Sequence, residues 1–199
     1  FTGDLLSTGY WAAKIGEIKK GDTVLVLGAG PAGMCAMMCA ALYSPARIVA
    51  ADIDESRLAF ARRHGLADDF LNPANVSVPD ALRERTQGRG ADVVIEAAGG
   101  KDSFQLAWQA ARPNAVVVVA AMYEEDQLLP LPEMYGKNLI FKTGGVDACS
   151  CREILELTAQ GRLKGECLIT HRAPLEDAME MYRLFERKED GVIKVALTP

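Results

Sequence analysis

The stretch Asp22–Gly33 constrains the fold more than any other part of the chain. Four consecutive apolar residues, Val24–Leu27, are followed by a G-x-G-x-x-G pattern made by Gly28, Gly30 and Gly33. The apolar run predicts a strand covered on both faces, as in a parallel sheet between helices. The glycine spacing is typical of a dinucleotide-binding turn, where it allows a tight bend, a close pyrophosphate and close packing of the next helix.

The residues after this turn predict the amino end of a helix. Pro31 is tolerated in a first helical turn, because its missing N–H would have no partner there. Ala32 and Gly33 follow, and an almost wholly apolar run continues to Tyr43, so we expect a helix that is buried on most sides. Free N–H groups and the helix dipole at such an end attract an anion. The sequence therefore predicts a pyrophosphate site at Gly28–Gly33.

An acidic residue stands where the second half of a dinucleotide site requires one. Asp52 closes the apolar run Arg47–Ala51 and lies 19 residues after Gly33, close to the spacing of about 20 typical of the residue that binds ribose hydroxyls. A carboxylate would repel a 2′-phosphate, which favours NAD over NADP. Ile53 and Arg57 are further candidate cofactor contacts, although Arg57 fits equally well as a solvated helix residue.

Strand and helix patterns alternate from Asp22 to Gly145, which predicts an α/β fold. We expect a doubly wound, six-stranded parallel sheet (Rossmann), with the ligand across the carboxyl ends of its strands. A lead-in helix is expected over Tyr10–Ile18. The predicted strands are Val24–Leu27, Arg47–Ala51, Asp69–Asn72, Ala91–Glu96, Ala115–Ala121 and Asn138–Lys142.

The alternation ends near Gly145, which divides the chain into a dinucleotide-binding domain over 1–145 and a carboxyl-terminal segment over 146–199. That segment contains an amphipathic pattern over Pro174–Arg187 and a final strand pattern over Val192–Leu197. The apolar residues of the amphipathic pattern are expected to face inward. They are Leu175, Ala178, Met181, Leu184 and Phe185.

Composition narrows the classes of partner and compartment. A net charge of −5 argues against nucleic acid. No apolar run is long enough to span a bilayer and no signal-peptide pattern is present, so we expect no membrane partner. Five cysteines without a regular framework favour reduced thiols in the cytoplasm. Because the chain starts at Phe1 rather than Met, we expect a fragment or a processed form.

Two other interpretations of the glycine pattern were weighed. A methyltransferase also combines a glycine loop with an acid after the second strand, but Gly33 and the long apolar first helix argue against it. The second interpretation is a tight strand–helix turn that binds no ligand. The strand before the pattern, the helix after it and Asp52 at the expected spacing argue against this interpretation.

With these residues in view, the sequence resembles the medium-chain, zinc-dependent alcohol dehydrogenases over its whole length, but only their cofactor-binding half. The amino-terminal catalytic half of that family is absent. The resemblance rests on Asp4–Tyr10, on Gly28–Gly33 with Asp52, on Asp92–Gly99, on Leu168–His171 and on Gly191–Val195.

The resemblance implies roles for particular residues. Asp4 falls where the family has a ligand of its catalytic zinc, and Thr8 falls beside the nicotinamide. Lys194 falls where a basic residue meets the pyrophosphate. Residues after about Gly145 would return to the catalytic domain and complete the sheet or that domain. The cleft between adenine and nicotinamide would be lined by Ala97, Ala98, Val119, Ala121 and Gly144.

The resemblance implies NAD-dependent oxidation of a small alcohol, or reduction of the corresponding ketone. The alcohol is expected to be secondary, and the intact protein is expected to use zinc. One carboxylate cannot hold a catalytic zinc, which needs three protein ligands, so this chain alone is expected to be inactive and to carry no catalytic residue. A homo-oligomer through the sixth strand, Asn138–Lys142, is also implied. The alternative is a non-catalytic NAD-binding module for sensing or interaction.

Overall fold

The computed structural model describes residues 1–146 and 148–199, and its centre is one parallel sheet. The sheet order is β3-β2-β1-β4-β5-β6, and every neighbouring pair is parallel. The predicted six-stranded, doubly wound sheet is confirmed. Its strand order reverses between β1 and β4, which places a ligand crevice at the carboxyl ends of those strands. The strands are β1 Thr23–Leu27, β2 Arg47–Ala51, β3 Asp69–Leu71, β4 Ala91–Glu96, β5 Ala111–Val119 and β6 Ile140–Thr143.

Helices cover both faces of this sheet. They are α1 Ser7–Ile15, α2 Pro31–Ala41, α3 Glu55–Arg63, α4 Val78–Arg85, α5 Ser103–Ala110, α6 Leu131–Met134 and α7 Cys151–Ala159. Val24 and Val26 pack into a core with α1, α2, α3 and α7, whereas Leu25 and Leu27 pack into a second core with α4 and α5. The four apolar side chains of β1 are at most 2% exposed, as their unbroken run predicts. No helix in the described ranges is long and apolar enough to cross a membrane.

The lead-in helix starts earlier than its apolar pattern predicts. A π-helical turn over Thr2–Leu6 runs directly into α1, so the expected range Tyr10–Ile18 was wrong at both ends. The early start accompanies a tertiary contact, because Leu6 at the end of this turn is buried in the core that it shares with α2. The hydroxyls of Ser7 and Thr8 find acceptors within the turn, at the carbonyls of Thr2 (2.6 Å) and Asp4 (2.8 Å).

Strand β5 is also displaced from its predicted range of Ala115–Ala121. It begins at Ala111, which pairs with Ala91 across an irregularity in the ladder with β4. It ends at Val119, because the N–H groups of Ala120 and Ala121 both donate to the carbonyl of Glu96 and the regular ladder stops there. Ala121 therefore lies in the turn after the strand.

The carboxyl-terminal segment contains a second, two-stranded sheet. Strands β7 (Ile169–Pro174) and β8 (Lys194–Thr198) pair in parallel with each other and not with the six-stranded sheet. Between them, a 3-10 turn over Leu175–Asp177 leads into α8 (Ala178–Arg187). The segment is nevertheless joined to the large sheet, because Leu168 and Ile193 pack into the same core as Val24 and Val26. That the segment completes a catalytic domain stays a prediction.

The expectation that the apolar residues of α8 point inward is confirmed only in part. Ala178, Met181 and Leu184 are half-buried and the other positions of the helix are exposed. Phe185 is 43% exposed, and Leu175, just before the helix, is 57% exposed. Strands β7 and β8 therefore cover the centre of the apolar stripe and leave its margin open.

The contact between α1 and α2 gives a test of the packing. A Cβ built on Gly9 would lie 2.5 Å from the backbone carbon of Cys35, so the two helices touch through main chain at this point. We expect Gly9→Ala to lower the free energy of unfolding by about 1–3 kcal/mol, because overpacking outweighs the better helix propensity of alanine. Gly145→Ala is the control, since a Cβ there meets nothing within 4 Å. Denaturant unfolding that showed equal stability for both variants would contradict this packing.

Candidate functional site

The turn between β1 and α2 is built so that two of its glycines cannot carry a side chain. Gly28 has a φ of +94°, and a Cβ there would lie 3.0 Å from the backbone of Ala97 and Ala98. A Cβ on Gly33 would overlap the carbonyl oxygen of Gly28. The turn is thereby packed against both the start of α2 and the loop after β4. What remains is a backbone cradle at the carboxyl edge of the sheet, where a pyrophosphate can approach the main chain.

The remaining glycine of the motif, Gly30, lies next to a cation. A Cβ on Gly30 would lie 3.6 Å from Nη1 of Arg57, so the guanidinium lies over the turn. Gly30 also precedes α2 without a side-chain cap, which leaves N–H groups of the first helical turn open to a ligand. The Arg57 side chain is only 26% exposed, and its Nε lies 3.7 Å from Asp54 Oδ2. Its position combines a fixed positive charge with the helix amino end, an arrangement suited to phosphate oxygens.

Asp52 is fixed between the glycine turn and the start of α3. Its Oδ2 accepts a hydrogen bond from the Ala29 N–H (2.6 Å), and its Oδ1 accepts one from the Asp54 N–H (2.8 Å). Each carboxylate oxygen has a further acceptor position, so the side chain can still receive two hydroxyl groups. Ile53, next in the chain, is 73% exposed at the same edge.

A second carboxylate strengthens the negative field beside Asp52. Asp54 caps α3 by accepting from the N–H groups of Ser56 and Arg57. A hydrogen bond from the Ser56 hydroxyl is the main reason that the pKa of Asp54 lies below its usual value, and the two backbone donors and the charge of Arg57 contribute. Asp54 is therefore charged at neutral pH, and the pair disfavours a phosphate on the ribose.

The loops after β4 and β5 form the other side of the crevice, and they depend on a residue that the sequence reasoning missed. Glu96 is fully buried, and its Oε1 accepts from the N–H groups of Ala98 (2.8 Å) and Gly99 (3.0 Å). A carboxylate directly after the apolar run Val93–Ile95 was the available signal. Val119 is half-buried at the end of β5 and packs beside a small aromatic cluster that includes Phe104.

The lead-in segment lies against α2, the helix that begins at the glycine turn. Thr8 directly precedes Gly9, the residue at which α1 meets this helix. The carboxylate of Asp4 is exposed in the π-helical turn one turn earlier. A Cβ on Gly144 would lie 3.5 Å from the Trp11 ring, so the residue just after β6 reaches α1.

Electrostatics connect Asp4 and Lys194, which lie near opposite ends of the chain, to the same region. Burial raises the pKa of the Cys35 thiol in α2 to about 12. Cys167 adds to the increase, the positive charge of Lys194 opposes it, and the negative charge of Asp4 reinforces it. Lys194 also lies over the Phe185 ring, 5.9 Å from its centroid. The fold thus brings both charges within range of α2.

The described residues form no complete metal site, because no three of their His, Cys, Asp or Glu side chains come together in a way that could hold a metal ion. A catalytic zinc needs three protein ligands. The donors in the described ranges therefore do not fit zinc by themselves.

Comparison with known proteins agrees with this architecture. The family model for zinc-binding dehydrogenases matches residues 31–158. The chain is 34% identical to an alcohol dehydrogenase of Cupriavidus necator, over 98% of this chain and 54% of that protein. It is 31% identical to the sorbitol dehydrogenase of Mus musculus, over 94% of this chain and 52% of that protein. The chain thus spans about half the length of the curated relatives it matches.

Solved structures show the same likeness. Alcohol dehydrogenase TADH from Thermus sp. ATN1 superimposes with a TM-score of 0.92 and 34% identity, covering 100% of this chain and 57% of that one. An Escherichia coli CFT073 alcohol dehydrogenase complexed with NADH gives a TM-score of 0.90 at 25% identity, over 99% and 58% of the two chains. The chain belongs to the zinc-binding dehydrogenase family. This is the medium-chain family that the sequence resembles, and the resemblance is confirmed.

Proposed function

We propose that this chain binds NAD as the cofactor-binding half of a zinc-dependent alcohol dehydrogenase. The observation that carries the proposal is the backbone cradle at Gly28–Gly33, with Asp52 bonded to its Ala29 amide at the point where the strand order reverses. The neighbour from Escherichia coli that is complexed with NADH supports the choice of cofactor. The full-length protein would oxidise an alcohol, or reduce a ketone, by moving hydride to or from the nicotinamide.

Each part of the cofactor has a proposed set of contacts. The pyrophosphate would lie on the first turn of α2, at Pro31, Ala32 and Gly33, because free amides and the helix dipole favour an anion there. Arg57 and Lys194 would supply the positive charges. The adenosine ribose would bond to Asp52, with the adenine beside Ile53. The remainder would follow the loops after β4, β5 and β6 at Ala97, Ala98, Val119, Ala121 and Gly144, and would reach Thr8 at the nicotinamide.

NAD is preferred over NADP in this proposal. The two oxygens of Asp52 would offer their remaining acceptor positions to the ribose hydroxyls, and a 2′-phosphate would bring like charges together. Asp54 adds to that repulsion, because its lowered pKa keeps it ionised. Arg57 does not reverse the preference, since it is held near the glycine turn and Asp54.

Zinc would act with residues outside this chain. When bound, zinc supplies a Lewis acid that polarises the alcohol or carbonyl oxygen. Asp4 would contribute one exposed carboxylate ligand, and the described residues offer no complete set. This chain alone would therefore bind cofactor without turnover. A secondary alcohol is the proposed substrate class, supported by a relative named for sorbitol, which carries secondary hydroxyls.

The alternative, a non-catalytic module that senses NAD or binds a partner, has less support. The relatives that cover nearly all of this chain are named as dehydrogenases. No feature of the described residues points to a signalling partner instead. The half of those relatives beyond this chain would cover the exposed stripe of α8. The cytoplasm is the proposed location, supported by five cysteines whose spacing shows no regular disulfide framework.

The role of Asp52 can be tested on the full-length gene product. We expect Asp52→Asn to weaken NAD binding roughly 10- to 100-fold, because one charge-assisted hydrogen bond contributes about 1.5–3 kcal/mol. Its preference for NAD over NADP should narrow as well. Titration calorimetry with both cofactors measures the two effects.

Asp68→Asn is the matched control for this change. Asp68 also accepts a backbone N–H, from Ile48 at 2.7 Å, but at the amino end of β2. The NAD affinity of Asp68→Asn should stay within about twofold of wild type, because a substitution away from the site has only a small effect. Unchanged NAD affinity in Asp52→Asn would overturn the proposed site.

A second copy of the chain is the proposed partner of β6. This strand lies at the edge of the sheet and Ile140 is 51% exposed, which leaves an apolar edge of the kind that pairs with another strand. We expect the full-length protein to sediment as an oligomer and Ile140→Lys to sediment as a smaller species. Val76→Lys is the control, an exposed apolar residue away from this edge. A monomeric wild type, or an unchanged mass for Ile140→Lys, would exclude the β6 interface.

A further inference from the structure

Glu96 is the most deeply buried charged side chain in the described ranges. Its exposure is 0%, at the carboxyl end of β4 and beside the proposed cofactor crevice. Burying a carboxylate costs free energy unless hydrogen bonds replace its hydration. The cost indicates that this side chain has a role which an apolar residue at the end of the strand could not fill.

One oxygen of Glu96 fixes the loop that follows it. Oε1 accepts from the N–H groups of both Ala98 and Gly99. Gly99 has a φ of +63°, and a Cβ there would lie 2.8 Å from the Met122 carbonyl oxygen. The loop is therefore confined between the carboxylate and the turn after β5. The main-chain carbonyl of Glu96 also accepts from that second turn, at Ala120 (2.8 Å) and Ala121 (3.1 Å).

The other oxygen of Glu96 is unsatisfied. Oε2 has no hydrogen-bond partner among the described residues. Tyr123 is close enough that the carboxylate contributes to its raised pKa, after burial, while the hydrogen bond to Ser103 opposes the increase.

Tyr123 and Ser103 form a pair of hydroxyls beside the loop. Ser103 Oγ donates to the Gly100 carbonyl (2.8 Å) and shares a 2.8 Å hydrogen bond with the Tyr123 hydroxyl, in which either oxygen can be the donor. Besides burial, a hydrogen bond and the negative charge of Glu96 both help to raise the pKa of Tyr123. The two short backbone hydrogen bonds of Glu96 go to the amides of the loop, at Ala98 and Gly99.

We propose that Glu96 is a positioning residue that holds the Ala97–Gly100 loop in the conformation that receives the nicotinamide half of NAD. The inference rests on the proposed function, because it takes this loop as the nicotinamide side of the crevice. Glu96 acts through the two loop amides and does not touch the cofactor. A looser loop would bind the ring less tightly and in a less uniform orientation, so both cofactor affinity and hydride transfer would fall.

Asp92 offers an internal reference for this role. It is on the same face of β4, four residues earlier, and is also buried, at 7% exposure. Its Oδ2 accepts the Thr23 N–H (2.7 Å), and its Oδ1 accepts from Arg112. Both carboxylates therefore hold backbone in place, but Asp92 lies at the opposite end of the strand from the crevice. Loss of either should affect stability, and only loss of Glu96 should affect the cofactor.

The test compares Glu96→Gln with Asp92→Asn in the full-length gene product. Glutamine keeps the size of the side chain and replaces two charge-assisted hydrogen bonds by weaker neutral ones. We expect the Kd for NAD to rise about tenfold, which corresponds to the weakening of one charge-assisted contact. We also expect kcat to fall and the kinetic isotope effect measured with deuterated substrate to increase. Asp92→Asn should lower Tm and leave Kd and the isotope effect within about twofold of wild type.

Amide hydrogen exchange gives a second readout that needs no activity. In wild type, the Ala98 and Gly99 amides should exchange at least about tenfold more slowly than the amide of the exposed Lys101 just after the loop, and Glu96→Gln should remove most of that protection. Equal exchange of the three amides in wild type would overturn the proposal even if the variant failed to fold.

The outcomes separate this inference from the proposed function. If wild type binds no NAD, the proposed function fails, and the exchange data alone decide whether Glu96 holds the loop. If wild type binds NAD and Glu96→Gln matches it in Kd, kcat and isotope effect, the positioning role is excluded. A loss of Tm in Glu96→Gln without any cofactor effect would also exclude it.

Discussion

Direct contact between backbone atoms at Gly28 and Gly33 is the constraint on which the site depends. No side chain larger than hydrogen fits at Gly33, since its Cβ would overlap the Gly28 carbonyl. This contact brings the first turn of α2 against the end of β1, where the strand order of the sheet reverses. The open amides of that helix and the carboxyl edge of the sheet then face the same crevice. Arg57, Asp52 and the loop after β4 are arranged around this fixed point.

Carboxylates that accept backbone N–H groups keep the crevice in shape. Asp52 connects the glycine turn to the start of α3, and Glu96 holds the loop after β4. Two charged acceptors thus fix the two sides of the crevice without occupying it. Hydrogen bonds to charged groups are stronger than neutral ones, which suits loops that must keep one conformation while remaining partly open to solvent. Asp52 has further acceptor positions for a ligand, whereas Glu96 is buried and acts on the loop.

The fold could be predicted from the sequence because its determinants are local. Runs such as Val24–Leu27 show a strand buried on both faces, and the glycine spacing with Asp52 shows where the chain turns. The early start of α1 could not be predicted, because the burial of Leu6 against α2 is a tertiary contact rather than part of the apolar periodicity. The burial of α8 was predicted only in part, since an amphipathic pattern reveals an apolar face but not how much of it is covered.

The site was predictable only where a motif fixes both residue and position. Arg57 was open between two interpretations, and only the folded geometry places its guanidinium over Gly30. Glu96 was missed because a carboxylate at the end of a strand acquires its role from loops that fold back onto it. The local sequence pattern does not reveal tertiary contacts of this kind. The residues proposed near the nicotinamide come from family resemblance, which carries information that neither spacing nor burial contains.

The most direct measurement is a crystal structure of the full-length gene product with NADH. The account predicts the pyrophosphate on the amides of Ala32 and Gly33, both ribose hydroxyls on Asp52, and the nicotinamide half along the loop that Glu96 holds. A dinucleotide that lay elsewhere on the sheet, or an Asp52 carboxylate without a ribose contact, would contradict it.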